Sequence, residues 1–244
     1  PARTVLAGGP AFVAQFVTPV EVNTIDATRV LFAGSNDLYE SLDRGGTITA
    51  LGLAKAVTAM VYGGTSGGAN AGLIYAINGA DVYVRTAGSG PLTKTATSPS
   101  ASSLRDVAVD TTDYQKAWVI TSDARVYQTV NTGATWTEVT GNLTSGSIDL
   151  RSIVFVPGSP NAIVVGSGRP ACPCPPAGSV FKMTTDSPGT WTQLGTGMPN
   201  VPVWDMDYDP VEKVLIAGTL GRGAWKLSSG TACTPVGFDG DVDL

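Results

Sequence analysis

Histidine is absent from this 244-residue chain, and cysteine occurs only three times. Without imidazole, a general acid or base has to be Asp, Glu, Tyr or Lys, and a soft-ligand metal site is short of donors. Neither a metal nor a cofactor is therefore expected. Charged residues are scarce, at 14%, and their balance is acidic, with a net charge of −5. No run of Lys or Arg can neutralise consecutive phosphates, so nucleic acid is not an expected partner. No apolar run approaches the roughly 20 residues that carry a helix across a bilayer, so no membrane span is expected either. The start lacks the basic and then apolar segments of a signal peptide. Pro1 stands where an initiator Met would be, which leaves a processed, excised or partial chain open.

What the chain does have is glycine (30) and proline (16), with abundant Ser and Thr. Short apolar runs separated by such residues are the mark of many short strands joined by turns, and the fold is expected to be all-β. An internal repeat supports this. Leu38–Ile48, Val126–Trp136 and Val180–Trp191 align, and a degenerate copy begins at Val82-Tyr83-Val84-Arg85. Ser41, Arg85 and Thr129 are spaced 44 positions apart, and Thr129 to Thr184 is 55, the excess falling on the Cys/Pro-rich segment Gly168–Gly178. A period near 44 suits a β-propeller of four-stranded antiparallel blades.

About five blades are expected, over residues 12–51, 57–96, 104–140, 150–195 and 203–227, within a propeller spanning 1–229. The fifth copy ends at Leu227 without a fourth strand. Arg3–Leu6 reads as an orphan fourth strand that closes the ring and removes exposed edges. The other reading, a C-terminal part of a larger propeller, stays open. Residues 230–244 are a tail or the start of a further module. Phe238–Leu244 is similar to part of a calcium loop, but Pro235 stands where its first carboxylate ligand belongs.

The turn between third and fourth strands follows Ser/Thr-x-Asp-x-Gly-x-Thr-Trp, and this pattern resembles the Asp-box, or BNR repeat. Ser41, Asp43, Gly45 and Thr47 fit it, as do Thr129, Gly133, Thr135 and Trp136, with Asn131 in the Asp position. Thr184, Asp186, Thr190 and Trp191 fit, with Pro188 replacing Gly. A short polar side chain accepts hydrogen bonds from turn amides, and Gly permits the reversal. Trp is expected to cover the seam between blades with its N–H near solvent. Sialidases, sortilin-type receptors, xyloglucanase-type glycosidases and a photosystem II assembly factor carry this repeat. The resemblance implies an extracellular or periplasmic propeller whose boxes are structural and lie away from any active centre.

Catalytic residues are not carried over, because the Phe-Arg-Ile-Pro motif of sialidases is absent. Asp205 and Asp207 sit two apart on one strand, the minimum for a glycosidase carboxylate pair. The loops between blades and the turns between second and third strands gather on one face. Arg105, Arg151 and Trp204 hold equivalent positions just before an inner strand, and Arg125, Arg169 and Arg222 lie at second-to-third strand turns. Such guanidinium groups grip carboxylates on a protein or an acidic glycan. The plainer reading pairs them with Asp106, Asp123, Asp149 and Asp205 and leaves them ordering loops. A disulfide from Cys233 to Cys172 or Cys174 would pin the tail to the inserted loop in an oxidising compartment. Asn142-Leu143-Thr144 is a glycosylation sequon. The expected role is therefore non-enzymatic recognition of a protein or glycan. A glycosidase acting on extracellular polysaccharide is the alternative, and a structural assembly subunit is the third.

Overall fold

The computed structural model describes residues 11–143, 148–168, 179–195, 197–199, 201–228 and 234–235. The chain is an all-β propeller of five four-stranded antiparallel blades, and it divides into two compact units, Pro1–Val139 and Thr140–Leu244.

The first unit holds three sheets. The first comprises β1 (Val20–Val22), β2 (Val30–Ala33), β3 (Leu38–Ser41) and β4 (Thr49–Ala50). The second comprises β5 (Ala59–Thr65), β6 (Ala69–Asn78), β7 (Asp81–Arg85) and β8 (Thr93–Lys94). The third comprises β9 (Leu104–Val109), β10 (Ala117–Thr121), β11 (Val126–Thr129) and β12 (Thr137–Glu138). Each strand pairs with its sequence neighbour, so each sheet is a meander. Burial follows residue type. All of β10, Ala-Trp-Val-Ile-Thr, is buried, whereas the outermost β8 and β12 are two exposed polar residues each.

Packing is between sheet faces. Leu31, Ala33 and Leu38 of the first sheet meet Met60, Tyr62, Ile74 and Ala76 of the second. Leu73, Tyr75 and Val84 of the second meet Leu104, Val107 and Val109 of the third. Each Val, Leu, Ile or Met among them removed from water contributes about 1.5–3 kcal/mol. Inner strands end on a polar cap: Asn23 Oδ1 accepts the N–H groups of Ile25 and Asp26, both at 2.9 Å, and Asp110 Oδ1 accepts that of Thr112 at 2.8 Å.

The second unit holds two sheets, preceded by a 3₁₀ turn at Gly141–Leu143. One comprises β13 (Leu150–Val156), β14 (Ala162–Ser167), β15 (Val180–Thr184) and β16 (Trp191–Gln193). The other comprises β17 (Val203–Asp209), β18 (Val214–Thr219), β19 (Ala224–Leu227) and β20 (Thr234–Pro235). Val164, Val180 and Val203 join Met206, Leu215 and Ala217 in the core between them. Asp209 repeats the cap, accepting from Val211 N–H at 2.8 Å.

Here the structure corrects an expectation. The fifth copy does not stop at Leu227: β20 is its fourth strand, paired at Trp225↔Pro235 and Lys226↔Thr234, while Arg3–Leu6 lies outside the described residues. A proline at a sheet margin lacks only a donor that an outermost strand does not need, so Pro235 is tolerated there.

The repeated turns have shared chemistry. Ser41 Oγ donates to Asp43 Oδ1 at 2.8 Å and receives Gly45 N–H at 2.7 Å, while Asp43 Oδ1 receives Thr47 N–H at 2.7 Å. Thr129 and Asn131 repeat this bond for bond with Gly133 and Thr135, each at 2.9 Å. Arg44 and Gly45 (φ 60° and 86°) and Thr132 and Gly133 (58° and 80°) turn the chain through the left-handed region. The Thr184 copy differs. Its turn closes on backbone bonds, Ser187 N–H to Thr184 O and Thr190 N–H to Ser187 O, both 3.1 Å. Asn142 holds it from outside, accepting Trp191 N–H at 2.7 Å and donating to Trp191 O at 2.9 Å. Pro188 in the glycine position explains the change, since its ring forbids positive φ and moves the reversal to Gly189 (φ 80°).

The Trp expectation is also corrected. Trp136 packs on the core of the second and third sheets, and its Nε1–H is buried without an acceptor among the described residues, rather than near solvent.

Because Ser41 is buried and receives two turn amides, Ser41→Ala strands them. It is expected to cost about 1–2 kcal/mol. A urea midpoint lowered at unchanged slope would register it; an unmoved midpoint would show the hydroxyl to be dispensable.

Candidate functional site

An inner strand can aim one side chain out of register by inserting an extra residue against its neighbour. Three sheets do this at the same place. Leu104 pairs with Thr121 and Asp106 with Ile120, leaving Arg105 as the extra residue. Leu150 pairs with Ser167 and Ser152 with Gly166, leaving Arg151. Val203 pairs with Thr219 and Asp205 with Gly218, leaving Trp204. These residues lie inside the strand at a bulge, a refinement of their expected position just before it.

Within the second unit the two bulged residues meet. The Arg151 guanidinium lies over the Trp204 ring, 4.7 Å from its centroid, and the indole remains 53% exposed. A guanidinium so placed is attracted by the ring's negative face. Asp149 holds Arg151 from the other side, accepting from Nε at 2.9 Å and Nη2 at 2.7 Å. Gly168 makes room for this. A Cβ there would stand 2.5 Å from Arg151 Cγ and 2.8 Å from Nε, so a larger residue would displace the side chain. Below the pair, Ser152 Oγ and Asp205 Oδ1 both accept Met206 N–H, at 3.1 and 2.9 Å, which ties the two inner strands together.

The site thus offers an aromatic plane, a guanidinium already matched to a carboxylate, and the exposed carboxylates of Asp205 and Asp207. Asp207 Oδ1 accepts Tyr208 N–H at 2.8 Å. Such a surface can stack on a flat apolar or sugar face and exchange hydrogen bonds at its rim.

The other expected residues are placed differently. Arg125 pairs with Glu138 at 2.6 Å and Asp123 at 3.4 Å, in the first unit. Arg222 lies in the turn between Gly221 and Gly223, and its carbonyl accepts Trp225 Nε1–H at 3.1 Å. Arg169, Cys172, Cys174 and Cys233 lie outside the described residues. Among the described residues no group of three His, Cys, Asp or Glu could hold a metal ion, and no helix is long and apolar enough to cross a membrane.

A second polar cluster, in the first unit, is not recognisable from the repeat alone. Glu40 accepts from Arg85 Nη2 at 2.6 Å, Arg85 Nη1 at 3.1 Å and Arg29 Nη2 at 2.9 Å, and also from the Tyr62 hydroxyl. Burial, then the Glu40 carboxylate, push the Tyr62 phenol up to about 12. Arg85 Nε donates to Gly72 O at 2.8 Å. The one sequence signal was Arg85, standing where the other copies have Ser or Thr. Buried and internally satisfied, this cluster joins two sheets and is closed to a ligand.

No protein-family model matches the chain, and no curated protein matches it in sequence. Solved structures do match. An ancestral GH74 enzyme is 14% identical with a TM-score of 0.68, over 92% of this chain and 34% of that one. The GH74 xyloglucanase from Xanthomonas campestris is 15% identical with a TM-score of 0.68, over 90% and 38%. YCF48 bound to D1 peptide is 14% identical with a TM-score of 0.58, over 92% and 74%. This chain spans about a third of the length of the GH74 enzymes it matches. At such identities the likeness shows the β-propeller fold.

Proposed function

We propose that this chain is an Asp-box propeller acting as a non-catalytic binding module, outside the cell or in the periplasm, that recognises a protein or glycan through the Arg151–Trp204 surface. One observation carries the reading: a half-exposed indole at a strand bulge, backed by a guanidinium that the next bulge supplies. An exposed aromatic plane held rigid by its neighbours is the usual anchor of a recognition surface. The Asp-box identity is supported by the matched turns at Ser41 and Thr129. Recognition of protein is supported by the peptide-bound YCF48 neighbour.

The glycosidase reading is favoured by the exposed Asp205 and Asp207, which face the same way on β17, and by the GH74 neighbours. Two carboxylates two residues apart on a strand are separated by about 6.6 Å along it, within the range across which glycosidases work. Against it, each lends an oxygen to the following backbone amide.

A glycan array and affinity capture with the whole chain, run beside assays on chromogenic glycosides, separate these readings. Trp204→Ala is expected to weaken binding about 10- to 100-fold, as loss of an anchoring aromatic does, with unchanged melting because the ring is exposed. Glycoside turnover abolished by Asp205→Asn would overturn the binding-only reading. Binding indifferent to Trp204→Ala would remove this surface from consideration.

A further inference from the structure

The sequence carries a single Asn-x-Ser/Thr triplet, Asn142-Leu143-Thr144, which the recognition surface does not use. Such a triplet is the acceptor for N-linked sugar, and its usual home is an exposed loop. Here the acceptor amide is already engaged. Asn142 Oδ1 accepts Trp191 N–H at 2.7 Å, and Asn142 Nδ2 donates to Trp191 O at 2.9 Å. Both bonds run to one residue of β16, the outermost strand of its sheet. The side-chain amide extends the ladder at that margin as a further strand would.

This pairing fixes which Nδ2 hydrogen is used. The N–H and C=O of one residue lie too close together to be reached from opposite sides of a planar amide. The donated hydrogen is therefore the one beside Oδ1, and the other points away from the strand. A sugar on Nδ2 makes the amide secondary, and a secondary amide strongly prefers the trans form. Trans geometry sets the substituent beside the carbonyl oxygen, in the place where Trp191 O now receives its bond. The one hydrogen left then faces the wrong way. Sugar and clamp exclude each other at this atom.

The backbone keeps the amide in place. Asn142 N–H donates to Gly189 O at 3.2 Å, and Leu143 N–H to Thr140 O at 3.0 Å. Leu143, the middle residue of the triplet, is only 4% exposed, so a modifying enzyme cannot take the triplet into a cleft without pulling it out. Thr144 lies outside the described residues.

We propose that Asn142 is a glycosylation acceptor only while the chain is unfolded, and that docking of the Thr184–Trp191 hairpin closes it. Transfer would form a bond from Nδ2 to the sugar C1 and break the C1–O bond of a lipid-pyrophosphate oligosaccharide donor. The lipid pyrophosphate leaves, and one Nδ2 proton passes to base. Made before folding, that bond would leave the hairpin without its outer hold.

A purified oligosaccharyltransferase with its lipid-linked donor tests this, offered in parallel the folded full chain and a peptide of residues 139–146. The peptide is expected to be modified at least about tenfold faster, since two hydrogen bonds and a buried leucine hold the turn closed in the chain. Gly141→Ala, which keeps the triplet and forces the hairpin away, is expected to bring the chain's rate towards that of the peptide. Because the triplet is unique, the mass of one glycopeptide reads occupancy. Chain secreted with sugar on Asn142 is expected to unfold at the urea midpoint of Asn142→Ala, and Thr144→Ala, which ends the triplet and spares the amide, at that of unmodified chain. Folded chain modified as fast as the peptide overturns the proposal. So does a peptide refused as firmly as the chain, because folding is then not what closes the acceptor. Occupied chain with an undiminished midpoint would show that sugar and clamp coexist, and overturns it equally.

Discussion

Replacing Glu40 by alanine is expected to destabilise the first three-sheet unit by about 3–5 kcal/mol, the cost of stripping the partner from buried ions. Two guanidiniums depend on this one carboxylate. Arg85, 3% exposed at its side chain, lies on it with both terminal nitrogens, and Arg29 reaches it from the adjacent turn. Alanine would leave both charges buried with fewer acceptors than donors. Tyr62, which also donates to Glu40, would lose its hydroxyl's acceptor. Glu40→Gln keeps the shape but not the charge, so a smaller loss is expected.

The pH dependence has a definite sign. Burial pushes the Glu40 carboxyl up, but the bonds from Arg85, Tyr62 and Arg29 outweigh it and hold the group below its ordinary 4.5. A carboxyl depressed in the fold contributes stability above its unfolded value, and that contribution is lost as pH falls through the folded one. Wild type should therefore outlast Glu40→Gln in urea at neutral pH, with the gap closing as pH drops below about 4.5. A loss under about 1 kcal/mol for Glu40→Ala would mean that the cluster is solvated like a surface pair.

The second large effect is expected at Gly141. Its φ is +48°, and a Cβ there would stand 1.8 Å from Gly189 O, a backbone atom with no rotamer to escape by. Gly141→Ala has to push the Thr184–Trp191 hairpin away and break the Asn142 bonds that hold it. Left-handed strain and two lost hydrogen bonds together are expected to cost about 3 kcal/mol. Asn142→Ala, which loses the bonds without the clash, should cost about 1–2 kcal/mol. Urea unfolding monitored at Trp191 reads both. Equal losses in the two variants would sink the steric argument.

Much of the fold is legible because a repeat multiplies weak local signals. Val30–Ala33, Leu38–Ser41 and Ala224–Leu227 are strands at the very positions the periodicity marks. Inner strands run longer than the spans Ala59–Tyr62 and Asp205–Tyr208 that the repeat marks, as β5 and β17 do, because pairing continues through residues that carry no apolar pattern. The bulges at Arg105, Arg151 and Trp204 are invisible to periodicity, since an extra residue is defined only by what lies across from it. Their equivalence along the chain was visible; their geometry was not. The Glu40 cluster was hidden for another reason. Its members come from three separate strands and a turn, and only the stacking of two sheets brings them together. The last sheet's margin was not legible because β20, Thr234–Pro235, is too short to carry a period.

The outermost strands have a bearing on how this molecule behaves in crowded solution. A sheet margin is a template: its free amides and carbonyls invite a foreign strand to continue the ladder. Here β4, β8 and β12 are only two residues long each, and β8 ends in a lysine and β12 in a glutamate. A template two residues long cannot align the six or seven residues that a cross-β nucleus needs. At these three rims of the first unit, a foreign strand therefore finds too short a ladder to seed fibril growth.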